Sequence, residues 1–419
     1  MRRRAFLAAT AALPLARSAT PGASTVAVGL ERLEAEKGAL LRGRRVGLLG
    51  HAASLTADGR HAIDVLRGAG VGVVRLFGPE HGLRGLAAAG EEVAGGTDAA
   101  SGLPVVSLYG ERTKPTAGDL RGLDALVVDL QDAGVRFYTY ASTMLLSLEA
   151  AAEAGPEVVV LDRPNPLGGE RAEGPERDPT MPVSLVSRAP GPLVHGLTLG
   201  EMATLAAGRH ERRAADPSGP GRPKSLGMTV SVVRMAGWSR GVTWRDTGRP
   251  WVLPSPNLRS AEAAIAYPGT CLLEATNASE GRGTETPFLL VGAPWARAED
   301  LAREAATPGF DLEPTGFTPV ASAAAPEPKH RGVACRGLRV RVTDPSAARP
   351  FALGLRLLVA LRRHPEFAWV QGGSWLDALT GTKVVRAAIE RGDPVEAILE
   401  AGAPAIDRWR RERVPVLLY

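Results

Sequence analysis

An α/β fold, with a Rossmann-like parallel-sheet N-terminal domain and a second, smaller mixed α/β domain, is what this 419-residue sequence predicts. Three observations carry the expectation. Short β-branched runs alternate with helix-like stretches from Arg45 to Asp162, the pattern of βαβ units. The runs are apolar throughout and do not alternate, as in strands covered on both faces. Each run also empties into a polar cluster, as expected where strand carboxyl ends open on a ligand crevice.

In chain order, residues 1–25 read as a twin-arginine export signal: Arg3-Arg4-Ala5-Phe6-Leu7, an Ala/Leu-rich stretch, then small residues around Ser18-Ala19. No cysteine follows that stretch, so a lipid anchor is not expected. Residues 26–258 form the expected Rossmann-like domain. Val46 to Leu49 is strand-like, Arg60 to Arg67 helix-like and Val71 to Phe77 the next strand. Pro104 to Leu108, Ala125 to Leu130 and Val158 to Asp162 continue the series, with a helix from about Ser142 to Ala154. A Pro/Gly-rich stretch through Pro192 is too long for an ordinary connection, and such loops are more often functional than idle. A helix near Thr198 to Ala207 and a strand near Met228 to Val233 follow, and the prolines of Gly248 to Leu258 mark a rigid seam. Residues 259–419 form the second domain, with strands at Phe288 to Val291 and Leu338 to Val342 and helices at Phe351 to Arg363 and Val384 to Glu390. The Ala/Pro-rich stretch Val320 to Pro328 reads as a surface loop.

Composition narrows the function. Hydrophobic residues make up 44% and charged ones 23%, ordinary for a water-soluble globular chain, and no run after the N-terminus is long enough to span a bilayer. The formal charge of +5 counts Arg2, Arg3, Arg4 and Arg17; removing these four from the 50 basic side chains leaves 46 against 45 acidic ones. Such a balanced body gives no reason to expect nucleic acid. Cys271 and Cys335 could pair in an oxidising compartment or stand as two buried thiols.

Several residues could carry chemistry. Glu80 sits in Gly78-Pro79-Glu80-His81-Gly82, where Pro and Gly fix a tight exit turn past a buried strand. A carboxyl at the rim of an apolar sheet tends toward a raised pKa, which suits a general acid. Asp129, Gln131 and Asp132, followed by Arg136, Tyr138 and Tyr140, supply hydrogen bonds, stacking surface and anion recognition suited to a charged sugar. Asp162, Arg163 and Asn165 end the next strand, and Asn257 lies in the proline-rich seam. The loop Glu274 to Glu285, with Glu280, Arg282 and Thr284 among glycines, is placed to close over the crevice. The sequence lacks HExxH, CxxC and a close His cluster, so no metal is expected. Neither a Walker loop, nor GxGxxG after the first strand, nor GxSxG occurs, so no nucleotide cofactor and no serine nucleophile elbow is expected.

Six blocks together resemble a known family. Phe77 to Gly85, Asp129 to Tyr140, Leu161 to Pro166, His195-Gly196, Pro254 to Asn257 and Ser279 to Thr284 are similar, in order, to the exo-β-N-acetylmuramidases of the NamZ type, over about 27 to 419. The resemblance implies glycoside hydrolysis releasing N-acetylmuramic acid from the non-reducing ends of peptidoglycan fragments, without a cofactor. It implies Glu80 as the catalytic glutamate. For the second role Asp129 ranks first and Glu280 next, with the substrate's 2-acetamido group as an alternative. Arg136 or Arg282 is the expected partner of the lactyl carboxylate. His81, Gln131, Tyr138, Tyr140, Asp162, Arg163, Asn165, Asn257 and Thr284 are expected to contact the sugar. The long loop 163–192 is expected to close one end of the cleft. One departure is Gly50-His51-Ala52-Ala53-Ser54, where many members carry an Asn-containing turn, so His51 is expected to alter recognition. The partner is a peptidoglycan oligosaccharide or muropeptide, met in the periplasm or medium, with no membrane contact after signal removal. A non-catalytic binding protein for wall fragments is the runner-up, and a cofactor-dependent oxidoreductase is disfavoured by the missing glycines.

Overall fold

The computed structural model describes residues 26–85, 87–208, 228 and 230–419; the expected export signal lies outside them. Strands β1 (Arg45–Gly50), β2 (Gly72–Gly78), β3 (Gly96–Thr97), β4 (Pro104–Ser107), β5 (Ala125–Asp129), β6 (Glu157–Leu161) and β9 (Val230–Val233) build one sheet in the order β3-β4-β2-β1-β5-β6-β9. Every pairing is parallel except β3 with β4. The uniformly apolar strands do serve two faces. Val46, Leu48, Val127, Val159 and Leu161 join one buried cluster with Leu30, Leu33, Ile63 and Leu66. Leu49, Leu126, Val128, Val158 and Val160 face the other, with Met144 and Leu148 of the helix Thr139–Ala154.

That second cluster runs without a break into the C-terminal domain, through Tyr267, Leu273, Phe288, Phe351 and Leu355. The two domains therefore share a core, and a cleft between them has rigid walls. The C-terminal domain is a three-stranded antiparallel sheet of β10 (Leu290–Ala293), β12 (Cys335–Val342) and β11 (Phe310–Phe317), in that order, covered by helices. Helix Ala261–Thr270 crosses helix Pro350–Arg362 at Gly269 and Gly354, where a Cβ on Gly269 would stand 2.0 Å from the Pro350 carbonyl oxygen. Only glycine permits that approach.

The segment 163–192 departs from expectation. It contains β7 (Glu173–Glu176), paired with β8 (Pro192–Val194), and this hairpin packs under helix Val395–Glu412 of the C-terminal domain. There Trp409 is fully buried and its indole N–H donates to the His195 carbonyl (2.8 Å), while Arg413 donates to the carbonyls of His195, Gly196 and Glu170. Most of the segment is a docking platform for the second domain. The two cysteines are buried and unpaired. Among the described residues, no helix is long and apolar enough to cross a membrane.

Candidate active site

A cavity of about 770 Å³ opens between the domains. Its N-terminal wall is Glu80, His81, Ala88 to Glu91, Tyr109 and Phe137 to Thr139. Its C-terminal wall is Tyr267, Cys271, Glu274, Glu280, Arg282, Phe288, the stretch Ala324 to Lys329, and Val370, Gln371, Trp375 and Leu379.

Glu80 leaves β2 through a turn in which both His81 (φ 69°) and Gly82 (φ 75°) are left-handed. A non-glycine residue there is uncommon, and the His81 ring secures it, with Nδ1 2.9 Å from the Ala87 carbonyl oxygen. Burial pulls the His81 pKa down, only partly offset by the Glu80 charge. The Glu80 carboxylate accepts from the Thr139 hydroxyl (2.7 Å) and the Gly90 N–H (3.0 Å), and the Tyr109 phenol also bonds it. Tyr140 donates to the Glu80 carbonyl (3.3 Å) and the Pro254 carbonyl (2.6 Å), tying the turn to the proline-rich seam. Among the described residues, every hydrogen-bond partner of the Glu80 carboxylate is electrically neutral.

Glu280 is held the other way. Its carboxylate lies 3.1 Å from Arg282 Nη1 and 3.1 Å from the Lys329 ammonium. Burial alone would raise its pKa, but the Lys329 and Arg282 charges together outweigh burial and hold it below the usual carboxylate value. Arg282 also pairs with Glu274 and lies over the Phe288 ring, 5.0 Å from its centroid. The Cys271 thiol donates to that same Glu274 (3.3 Å). An edge-to-face aromatic series, Tyr140, Tyr138, Tyr267 and Phe288, runs under the cavity from one domain to the other.

Of the sequence-predicted residues, Glu80, His81, Tyr138, Asn257, Glu280 and Arg282 reach the cavity. The others do not line it, and each has a structural engagement. Asp129 is fully buried and its two carboxylate oxygens are forked by Arg163 Nε and Nη2 (2.9 Å for the latter), whose Nη1 donates to the Leu55 carbonyl. This pair fills the carboxyl ends of β1 and β5, where a Rossmann sheet otherwise opens its nucleotide crevice. Gln131 donates to the Asp132 and Pro164 carbonyls, and Asn165 to that of Leu197. Asp162 accepts from Thr198, the Gly200 N–H and the Tyr419 phenol; burial pushes its pKa up to about 6 against those donors. Arg136 is fully buried and donates to the carbonyls of Pro175, Gly191 and Thr380, joining the hairpin to the C-terminal domain. It is not placed to meet a substrate carboxylate. The Thr284 hydroxyl closes its own turn on Gly281.

His51 likewise lies beneath the cavity. Its Nε2 accepts from the Gln131 N–H (2.9 Å), its ring packs edge-on against Tyr140 (4.9 Å), and burial drives its pKa well down. A neutral imidazole there props the floor and does not touch a ligand. The stretch Val320 to Pro328 is largely exposed, as expected of a surface loop, and its part from Ala324 on also walls the cavity, tied down by Asn257 donating to the Ala324 carbonyl (2.7 Å) and by Lys329. Tyr109, Thr139, Glu274, Lys329, Gln371 and Trp375 are cavity residues that sequence reasoning missed. Thr139, inside the Asp129 to Tyr140 block, and Glu274, which opens the loop Glu274 to Glu285, carried a signal that could have found them. From the segment 163–192, Val186 alone lines the cavity.

Comparison with known proteins agrees with this two-domain construction. The family description "Exo-beta-N-acetylmuramidase NamZ, N-terminal" matches residues 46–262, and its C-terminal counterpart matches 265–419. The peptidoglycan beta-N-acetylmuramidase NamZ of Bacillus subtilis (strain 168) is 37% identical, across 99% of this chain and 96% of its own. A DUF1343 family protein of Bacteroides fragilis NCTC 9343 superposes with a TM-score of 0.81 at 31% identity, covering 95% of this chain and 100% of that one. A second from the same organism gives 0.73 at 28%, covering 94% and 99%. The chain belongs to the NamZ family of exo-β-N-acetylmuramidases, which are glycosidases.

Proposed function

We propose that this chain, once exported, releases N-acetylmuramic acid from the non-reducing ends of peptidoglycan fragments during cell-wall turnover, with Glu80 as general acid. One observation carries the assignment: two carboxylates on one cavity are held oppositely, Glu80 by neutral donors alone and Glu280 between two cations. Glycoside hydrolysis needs such a division, one carboxyl to protonate the leaving oxygen and one lasting anion to face the oxocarbenium-like centre. Glu280, which faces the cavity, takes the second role in place of Asp129, which is buried with Arg163 inside the sheet beneath it. The substrate's acetamido group can act beside it.

Arg282 is the partner of the lactyl carboxylate. Its Nη1 serves Glu274 and Glu280, while its buried Nε meets no acceptor among the described residues.

The test compares release of chromophore from aryl β-N-acetylmuraminide and β-N-acetylglucosaminide by the wild type and by Glu80→Gln. The muraminide alone is turned over by the wild type, and Glu80→Gln loses at least about 100-fold in kcat, the usual scale of general acid catalysis. A well-folded protein that binds wall fragments and cleaves neither substrate would establish the binding-protein alternative.

A further inference from the structure

The C-terminal wall of the cavity contains a strained turn. Gln371 has φ 51° and ψ 37°, and Gly372 (φ 62°) and Gly373 (φ 89°) follow it, three left-handed residues in succession. Glycine adopts this conformation freely; a side chain with a Cβ does not. Gly373 is required by space as well, since a Cβ there would stand 2.2 Å from Arg386 Cδ, and Arg386 is itself fixed by a two-pronged pair with Asp377 (3.0 and 2.9 Å). The turn is therefore braced from behind, by a neighbour that cannot easily give way. Position 371 has no such constraint at its back: it is exposed on the cavity side, and among the described residues its side-chain amide has no hydrogen-bond partner. Its carbonyl oxygen accepts from the Ser374 backbone N–H and from the Ser374 hydroxyl (3.0 Å).

A glycine would be cheaper at position 371, so the conformation alone does not explain a glutamine. Strain of this kind, held by surrounding structure at the edge of a cleft, marks a position where the side chain works. What the amide can do follows from its chemistry. It offers two donors and an acceptor, the complement of an acetamido group or of vicinal sugar hydroxyls. Trp375, one turn further on, lines the same wall and offers a large apolar surface. A polar fork beside an aromatic plate is a sugar-binding arrangement, because a pyranose has a C–H face and an edge of hydroxyls.

We propose that Gln371 is a specificity-determining contact for the N-acetylated sugar, with Trp375 as its stacking surface. The proposal rests on the muramidase reading above. Gln371 is distinct from the charged groups of the cavity: it carries no proton in the reaction and binds by hydrogen bonds alone.

Gln371→Gly is the informative substitution, because it removes the amide while relieving the backbone. Steady-state kinetics on a disaccharide with N-acetylmuramic acid at its non-reducing end should show kcat/KM lowered about fivefold to tenfold, chiefly through KM, the size of one lost neutral hydrogen bond. Thermal unfolding of the same variant should be unchanged or raised by about 1 °C. Gln371→Asn, which keeps an amide and tolerates the left-handed region, should recover part of the loss, and Trp375→Ala should also raise KM. An unchanged kcat/KM in Gln371→Gly overturns the proposal, as does a loss of activity accompanied by a lower melting temperature. Glu80→Gln, run alongside, separates the two levels: if it retains turnover, the muramidase assignment of Glu80 fails whatever Gln371 does.

Discussion

Replacing Arg136 by Met asks whether this arginine binds substrate or fastens the two domains together. The structure supports the second role. The guanidinium is fully buried, has no carboxylate within salt-bridge distance among the described residues, and donates to three carbonyl oxygens, those of Pro175 and Gly191 in the hairpin segment and Thr380 in the C-terminal domain. Burial, with the nearby Arg177 charge, lowers its pKa to about 9, so the charge itself is poorly tolerated and its removal is not the main loss. What Met leaves behind are three carbonyls without this donor, that of Thr380 buried and those of Pro175 and Gly191 partly buried, at about 1 kcal/mol each, or about 3 kcal/mol together. A chain of this length gains about 0.9 kcal/mol/K of unfolding entropy, so the expected fall in Tm is about 3–4 °C. The assay is a thermal melt followed by kinetics on the aryl muraminide at a temperature well below both transitions. KM should stay within about twofold of wild type. An unchanged Tm with KM raised tenfold or more would place Arg136 on the substrate and refute the domain-fastening role.

Two further outcomes follow from the charges. Lys329→Met removes the largest charge holding Glu280 down, so the Glu280 pKa rises and the acidic limb of the kcat/KM profile moves to higher pH, with Lys329→Arg restoring it; an unmoved limb would show that Glu280 has no charged role. In stability the sign is that of a depressed carboxylate: the Glu280 contribution is present above its unfolded pKa and is lost as pH falls through the lower folded value. Glu173 behaves oppositely. Burial pushes it up from 4.5 to about 7, against the Arg171 charge, so its proton is bound more tightly in the folded state and its ionisation penalty fades as pH falls through about 7 and is gone below 4.5. Tm should rise over that window from this residue, and Glu173→Gln should flatten the rise; an identical pH dependence in the variant would count against it.

The sequence made the parallel sheet legible because doubly covered strands must be apolar along their whole length, and Val46, Val127 and Val159 are. Strand β11 was illegible for the opposite reason. It is an edge strand paired only with β12, carries Pro314 and Gly316, and leaves every residue at least partly exposed, so no periodicity marks it. Helix Val395–Glu412 contains Gly402 and Pro404, and Ala261–Thr270 contains Pro268, each an apparent break that tertiary packing overrides. At the site, position in the chain identified Glu80, Glu280 and Arg282. It could not separate a polar residue facing the cavity from one consumed beneath it. Asp129 and Arg163 are 34 residues apart and each resembles a site residue alone; their meeting inside the sheet is a fact of tertiary structure. Lys329 was hidden by its setting, an Ala/Pro-rich stretch whose composition suits a surface loop.

The docking of helix Val395–Glu412 and the segment after it has a consequence for the order of folding. Trp409 meets His195 across 214 residues of chain, Arg413 meets Gly196 across 217, and Tyr419 meets Asp162 across 257. Loops of that span close late, and their entropy must be spent before the contacts repay it. The His195 and Gly196 carbonyls thus gain these partners only when residues 409 and 413 have left the ribosome, and the Asp162 carboxylate gains its own only after residue 419 has. A nascent chain halted near residue 400 would carry a nearly complete parallel sheet whose final locks are missing, and would be open to proteolysis at the very strand ends that the finished molecule buries.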